Sequence, residues 1–361
     1  MRIYCRLGDI MRALGITVLS LKRRAHVGAD AIRQLMSNRW KGVRRETLCR
    51  IARALDLTSP DELFAFYRDD IFGPLWLHRE VTIHLGSSAL WPWQPGGRTR
   101  VSRARARQQV GRWDVRALIH LNHDLKKRVP AIDVEIAEHL GPDPAVTDSA
   151  ARVFAEGNHI VLGSPLANQF AEEVVCRAFG VPPYSPDKRS AFPFAFKWRS
   201  PHTVDSSFGF QGIGDEFGIV ALPGGRLVAR YTHVASGQGE DCAIVMVHRL
   251  FRPPVKRTHG LDDECIVVVV LGFSGVATLA AAQLVTADPA VAAALYPAQG
   301  QTPRMGVVKV TYNRPPSAAA DDDNRQIESA ALVMVPDDPK VVTLPAPRAA
   351  AAGNTRRSRR G

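Results

Sequence analysis

Apolar residues in the first sixty-odd positions recur three and four apart, the spacing of one-sided helices. Ile3, Leu7, Ile10, Met11 and Leu14 make one stripe and predict a helix over 3–14, stopped by Gly15. Leu21 and Ala25, then Val27, Ile32 and Leu35, mark two short helices around a tight turn at His26-Val27-Gly28. Thr17 suits the N-cap of the first, because its hydroxyl can accept a free backbone N–H. Leu48, Ile51, Ala52 and Leu55 predict a fourth helix over 44–55. Ser59 and Pro60 open a fifth, with Leu63, Phe64 and Tyr67 closing the core.

Later the pattern changes to short apolar runs alternating with helical stretches. Strands are predicted at 80–85, 159–162, 192–198, 218–222, 227–232, 243–249, 265–271, 307–312 and 331–335. Helices are predicted at 114–128, 167–179 and 276–285. Unbroken valine runs followed by Gly and a helix point to buried, parallel-type strands. The fold class expected is α+β and multi-domain: a five-helix bundle, then an α/β domain with a mixed, partly parallel sheet. The division expected is 1–72 for the bundle, 73–112 for a connecting segment with a strand and a basic loop, 113–344 for the α/β domain and 345–361 for a disordered basic tail.

Charge sharpens this division. Residues 1–68 hold 14 Lys/Arg against 6 Asp/Glu, residues 98–128 hold 10 against 2, and the tail from 345 adds 5 arginines. With a total of +12, the remainder stands at −9. Positive charge in the first third and the tail, set against an acidic later body, fits a partner whose phosphates meet the N-terminal third. Arg98, Arg100, Arg103, Arg105 and Arg107 read either as an arm for DNA or an anion, or as a solvated loop. Arginine outnumbers lysine and alanine is abundant, a bias expected of a GC-rich bacterial genome. Cys5, Cys49, Cys176, Cys242 and Cys265 lack the paired spacing of a zinc or disulfide framework, so reduced thiols are expected. His120 and His123 lie one turn apart, a spacing that can hold metal, but a lone pair without a carboxylate partner is usually surface, so no metal is assigned. No apolar run reaches the ~20 residues of a membrane span and no leader precedes the first helix, so a cytoplasmic location is expected.

The order of the five predicted helices, with Thr17, Leu21, Val27-Gly28, Ile32, Leu35 and the LxxIAxALDL segment at 48–57, resembles the lambda-repressor-like, Cro-type (Xre-like) helix-turn-helix family. Lys22 stands where that family has a small Ala, and His26 where a Gly makes the turn. The resemblance covers residues 3–68 and implies double-stranded DNA as partner, read by a dimer on a two-fold site. It places Ala29, Asp30, Arg33 and Gln34 toward base edges. Arg33 could fork onto guanine and Gln34 onto adenine, while Asp30 could accept from cytosine or from within the protein. Thr17, Arg39, Lys41, Arg44 and Arg45 become phosphate contacts, which position without specifying. A helical module that binds protein instead is the competing reading.

Three predicted strands end alike, in HLGSS at 84–88, VLGSP at 161–165 and VLGFSG at 270–275. Ligands of open α/β sheets bind beyond such ends, where glycine admits a close approach and helix N-termini attract anions. Gly86, Ser87, Gly163, Ser164, Asn168, Gly272, Ser274, Gly275 and Thr278 are therefore the expected lining of a site for a small effector, anionic or nucleotide-like. The body is also similar to uncharacterised bacterial domains with a Gly-Ser-Pro-x-x-Asn turn (Gly163 to Asn168) and a later Gly-x-x-Gly-x-x-Thr turn (Gly272 to Thr278), a likeness that implies no activity. Val276 stands where a nucleophile elbow needs Gly, no phosphate loop occurs, and Gly212 to Gly218 lack a following helix. No cofactor and no catalytic residue are assigned. The expected function is a DNA-binding transcription regulator whose α/β domain senses a ligand or drives oligomerisation to a homodimer or higher. The alternative is a nucleotide-processing or hydrolytic α/β enzyme fused to a regulatory head.

Overall fold

A computed structural model describes residues 2–37, 40, 42–67, 70–87, 112–129, 131–140, 145–155, 157–163, 168–198, 206–251, 264–297, 302–316 and 323–334. The basic run at 98–107 and the tail from 345 lie outside them.

The head opens with a strand, β1 (Arg2–Cys5), and not with the expected helix. The first helix, α1 (Leu7–Ala13), starts four residues later than its apolar stripe suggested. Ile3 counted toward that stripe only because it lies four residues before Leu7; in the fold it is 47% exposed. Then come α2 (Val18–Ala25), α3 (Ala29–Met36), α4 (Arg45–Ala54) and a 3-10 turn at Pro60–Leu63, the fifth helical element. Strand β2 (Phe64–Tyr67) returns to pair antiparallel with β1, Cys5 against Phe64 and Arg2 against Tyr67. Ladder hydrogen bonds thus tie the two ends of the head together. Leu7, Met11, Leu21, Ala25, Ile32, Leu35, Ile51, Leu55 and Leu63 are buried in one core.

The Thr17 hydroxyl accepts from the Ser20 amide at 3.2 Å, capping α2 as expected. His26 adopts the left-handed conformation, φ 52° and ψ 42°, that a glycine would occupy more easily. Lys22 points into solvent and leaves Leu21 and Ala25 buried against their neighbours. At the 3-10 turn, Ser59 and Glu62 form a reciprocal capping box, with Glu62 Oε1 also accepting from the Thr58 amide at 2.8 Å. Those hydrogen bonds, the Thr58 hydroxyl first, hold the Glu62 carboxyl below its usual pKa.

The link to the body is short and seated. Ile71, Phe72 and Leu75, at the start and within α5 (Gly73–His78), belong to the body's core. Trp76 Nε1 donates to the Arg128 carbonyl at 2.9 Å, and His78 meets the Glu264 carbonyl at 2.8 Å.

The body runs β3 (Glu80–Ser87), α6 (Arg112–Arg128), β4 (Asp133–Leu140), α7 (Ala145–Val153), β5 (His159–Gly163) and α8 (Gln169–Ala178). Four short strands follow: β6 (Phe194–Trp198), β7 (Gly209–Gln211), β8 (Phe217–Ala221) and β9 (Leu227–Tyr231). The chain continues through β10 (Gly237–Phe251), β11 (Glu264–Gly272), α9 (Gly275–Ala287), α10 (Pro289–Leu295), β12 (Arg304–Arg314) and β13 (Gln326–Met334). A seven-stranded sheet has the order β13-β12-β10-β11-β5-β3-β4, and a four-stranded one β7-β6-β8-β9. Strands β11, β5, β3 and β4 are parallel, while β10, β12 and β13 join antiparallel, so the sheet is mixed and partly parallel as the valine runs implied.

Alternation within each strand feeds two cores. Ile266, Val268 and Val270 face α5, α6, α9 and α10; Val267, Val269 and Leu271 face α8 and the small sheet. Strand β11 is buried along all nine residues, which explains its uninterrupted hydrophobicity. Among the described residues, no single helix is long and apolar enough to cross a membrane.

Candidate nucleic-acid interface and strand-end site

On the head, α3 buries Ile32 and Leu35 and turns Asp30, Arg33 and Gln34 to solvent, with Ala29 partly covered at its start. Gly28 occupies the N-cap in extended conformation, so the first turn of α3 carries no side-chain cap. Arg33 Nη1 contacts Asp30 Oδ1 at 3.0 Å, one turn back. Asp30 therefore finds the intraprotein partner that was one of its two expected roles. Arg44 and Arg45 are exposed at the start of α4, and Thr17 is exposed at the start of α2. Arg39 and Lys41 lie outside the described residues. A helix with an open polar stripe, with Arg44 and Arg45 at the start of α4 and Thr17 at the start of α2, has the parts needed to enter a groove and grip phosphates on either side.

In the body, the three similar strand ends lie side by side. Gly163 pairs with Leu271, and Leu162 lies between Leu85 and Val270. Strands β3 and β11 lead into α6 and α9 on one face of the sheet, whereas β5 leads into α8 on the other. Such reversals open a crevice at the carboxyl ends. The glycines there admit the protein's own side chains. A Cβ on Gly86 would fall 2.2 Å from Asn168 Cγ, and one on Gly163 would lie 3.3 Å from Asn168 Nδ2. Asn168 is 2% exposed, donates to the Leu162 carbonyl at 3.0 Å and caps α8 by accepting from the Ala171 amide at 3.2 Å. Gly272 makes room for Thr278, and Gly275 for Trp113. Ser87 ends β3, and Ser164 lies outside the described residues.

Beside β11 the rim is polar. The Ser274 hydroxyl donates to Asp241 and accepts from Arg325 Nη1 at 3.0 Å. Arg325 forks onto Asp323 at 2.7 Å through both Nε and Nη2, and Trp113 Nε1 donates to the same carboxylate at 2.6 Å. Burial lifts the Asp241 carboxyl to about 6, and lifts Asp114, which accepts from Thr278, to about 6 as well. The Arg325 fork instead holds Asp323 down at about 2. Asp114 Oδ1 is buried with no hydrogen-bond partner among the described residues. Ser274 has extended backbone, φ −129°, in place of the strained turn of a nucleophile elbow.

Sequence reasoning missed Asp241, Asp323, Arg325 and Trp113 here, since they come from elements far apart in the chain. It also missed a row of imidazoles on β4, β3 and β5. His84 Nδ1 lies 2.8 Å from His139 Nε2, and His84 Nε2 lies 2.9 Å from His159 Nδ1. The Phe170 ring stacks on His139 at 3.6 Å. Burial drives His84 down to about 2 and His139 to about 4, so both are neutral near pH 7. His120, by contrast, contacts Thr286 at 2.9 Å and Asp124 at 3.4 Å, and His123 reaches the same carboxylate at 3.3 Å, so the pair has the carboxylate partner that the sequence reading denied it. Four cysteines are buried, Cys49 is partly so, and all five are free thiols.

Residues 6–69 match the family model described as the Cro/C1-type HTH DNA-binding domain. The head is a Cro/C1-type helix-turn-helix domain. That match covers the head alone, and the body is described by its fold. A search of the curated proteins and of the solved structures found no match.

Proposed function

We propose that the protein is a transcription regulator whose Cro/C1-type head binds an operator as a homodimer and whose body senses a small anionic or nucleotide-like ligand at the strand-end rim. The observation that carries the DNA reading is the open polar stripe of α3, Asp30, Arg33 and Gln34, above buried Ile32 and Leu35. Ala29 completes the base-facing set, and Thr17, Arg39, Lys41, Arg44 and Arg45 take phosphates. Ser164, outside the described residues, is assigned to the same lining, and the ligand reading is supported by the reversal of crossover faces on either side of β5, with Gly86, Ser87, Gly163 and Asn168 on one flank. Gly272, Ser274, Gly275 and Thr278 stand on the other. Because Asn168 fills the notch between Gly86 and Gly163, a ligand there would compete with this cap and loosen the start of α8. Such a ligand regulates only if it favours one DNA-binding state over the other.

The test is affinity of the full-length protein for duplex DNA across a salt series. A steep fall of log K with log salt is expected from several phosphate contacts; a flat response would remove the DNA reading. Turnover of nucleotides or esters by the same protein, abolished by Ser274→Ala, would favour the enzymatic alternative instead.

A further inference from the structure

On the face of the sheet that carries α8 and the small sheet, parts of the chain far apart in sequence leave a space between them. Phe179 ends α8 as its C-cap, a 3-10 turn at Pro186–Ala191 leads into Phe192 and Pro193, and β12 begins at Arg304. Leu222 joins them, its amide donating to the Pro193 carbonyl at 2.8 Å. The cavity they line holds about 540 Å³, within the range of small-molecule sites. The rings of Phe179 and Phe192 meet with centroids 5.1 Å apart and planes at 56°, and Leu222 and Met305 extend this apolar wall. The cavity is separate from the strand-end rim. Arg325 of the rim lies over the Tyr312 ring, eight residues along β12 from Arg304, which is about 26 Å of strand.

Arg304 is the one charged residue among the ten that line the cavity, and no carboxylate is among them. It is half-buried. Its Nη1 donates to the Ala294 carbonyl at 2.8 Å and lies 3.4 Å from the Tyr296 carbonyl, at the end of α10. Carbonyls at a helix C-terminus attract a cation, and here they fix one end of the guanidinium. Among the described residues, Nε and Nη2 have no partner. Residues 298–301, which precede the lining in sequence, are Ala-Gln-Gly-Gln and bring no carboxylate. Two other enclosed arginines of the body show what this free edge is suited to. Arg249 uses Nε and Nη2 to fork onto Glu264 at 2.6 Å, and Arg325 uses the same two atoms on Asp323 at 2.7 Å.

We propose that this cavity binds a small carboxylic acid with an apolar body. The Nε–Nη2 edge of Arg304 takes the carboxylate, and the body lies against Phe179, Phe192, Leu222 and Met305. A carboxylate offers two acceptors in the plane of the fork, the geometry that makes such pairs both strong and selective. Inorganic anions satisfy the guanidinium but leave the apolar wall wet, so burial of the body favours the organic acid. The site goes beyond the DNA and strand-end readings and rests on neither.

The test is equilibrium dialysis of the full-length protein against 1-naphthoate, with 1-naphthalenemethanol as its uncharged counterpart. The acid should bind with a Kd of about 0.1 mM or tighter, and the alcohol at least about tenfold more weakly. Arg304→Gln, which keeps a donor for the Ala294 carbonyl, should weaken the acid by about tenfold or more and leave the alcohol unchanged. Ala191→Trp, at an exposed position of the lining, should block both with Arg304 intact. If thermal unfolding shows that Arg304→Gln harms the fold, the acid-to-alcohol ratio and the Ala191→Trp block still decide. Failure of naphthoate to bind, equal affinity for acid and alcohol, or binding that survives Ala191→Trp would overturn the proposal. So would displacement of naphthoate by inorganic phosphate at equal concentration, which would mark a site for anions of any kind.

Discussion

Asp30 and Arg33 face each other on the open side of α3, with 88% and 65% of their side chains exposed. A surface pair of this kind is worth at most about 1 kcal/mol, so a guanine edge can compete for the guanidinium. Arg33→Ala should therefore lower affinity for a preferred duplex by roughly tenfold and relax the choice at one base pair, read by competition binding. Arg44→Ala should weaken all duplexes alike and reduce the salt slope by about 1. His26 offers a stability test. Its left-handed backbone is strained for any residue with a Cβ, so His26→Gly should raise stability by about 1 kcal/mol in urea unfolding. The buried imidazoles set a pH response. His84 and His139 titrate below their ordinary 6.5 in the fold, so the unfolded chain binds more protons between that value and their folded pKa values of about 2 and about 4. Their contribution to stability is complete above pH 6.5 and is lost progressively as the pH falls. Asp114 and Asp241, raised from 3.8 to about 6, act in the opposite sense and lose stability as the pH rises through that window. Thermal unfolding of His84→Asn should thus be less sensitive to acid between pH 6.5 and 4 than that of wild type, whereas Asp241→Asn should be more sensitive.

Elements that bury one face, or both, were legible, and an element that buries neither was harder to place. The stripes of α2, α3 and α4 appear directly in the spacing of Leu21, Ala25, Ile32, Leu35, Ile51 and Leu55, since each packs onto one core. The valine run of β11 was visible because a strand covered on both faces carries apolar residues throughout. Strand β4 escaped notice for the reverse reason: its alternation, Asp133-Val134-Glu135-Ile136, breaks at Ala137-Glu138 after four residues, and no residue from Asp133 to His139 is fully buried. The β1–β2 ribbon escaped because four residues of Ile3-to-Leu7 spacing imitate a helix, and the pairing that overrides it joins positions 59 to 65 residues apart. At the strand ends, glycine was visible but its occupant was not. Gly86→Ala would drive a methyl into Asn168, and the cap, the Leu162 hydrogen bond and the docking of α8 should suffer together. A loss of at least about 2 kcal/mol is expected in chemical unfolding, against about 1 kcal/mol for a cap removed alone by Thr17→Ala.

The whole molecule joins a basic head to an acidic body through a segment whose Ile71, Phe72 and Leu75 sit in the body's own core. The most direct check is selection of duplexes from a random pool by the full-length protein at moderate salt. The expected outcome is enrichment of two inverted half-sites spaced by about one helical turn or a multiple of it, lost when Arg33 and Gln34 are replaced by alanine. Recovery of unenriched pool sequence, or of a preferred sequence that survives those replacements, would contradict the account.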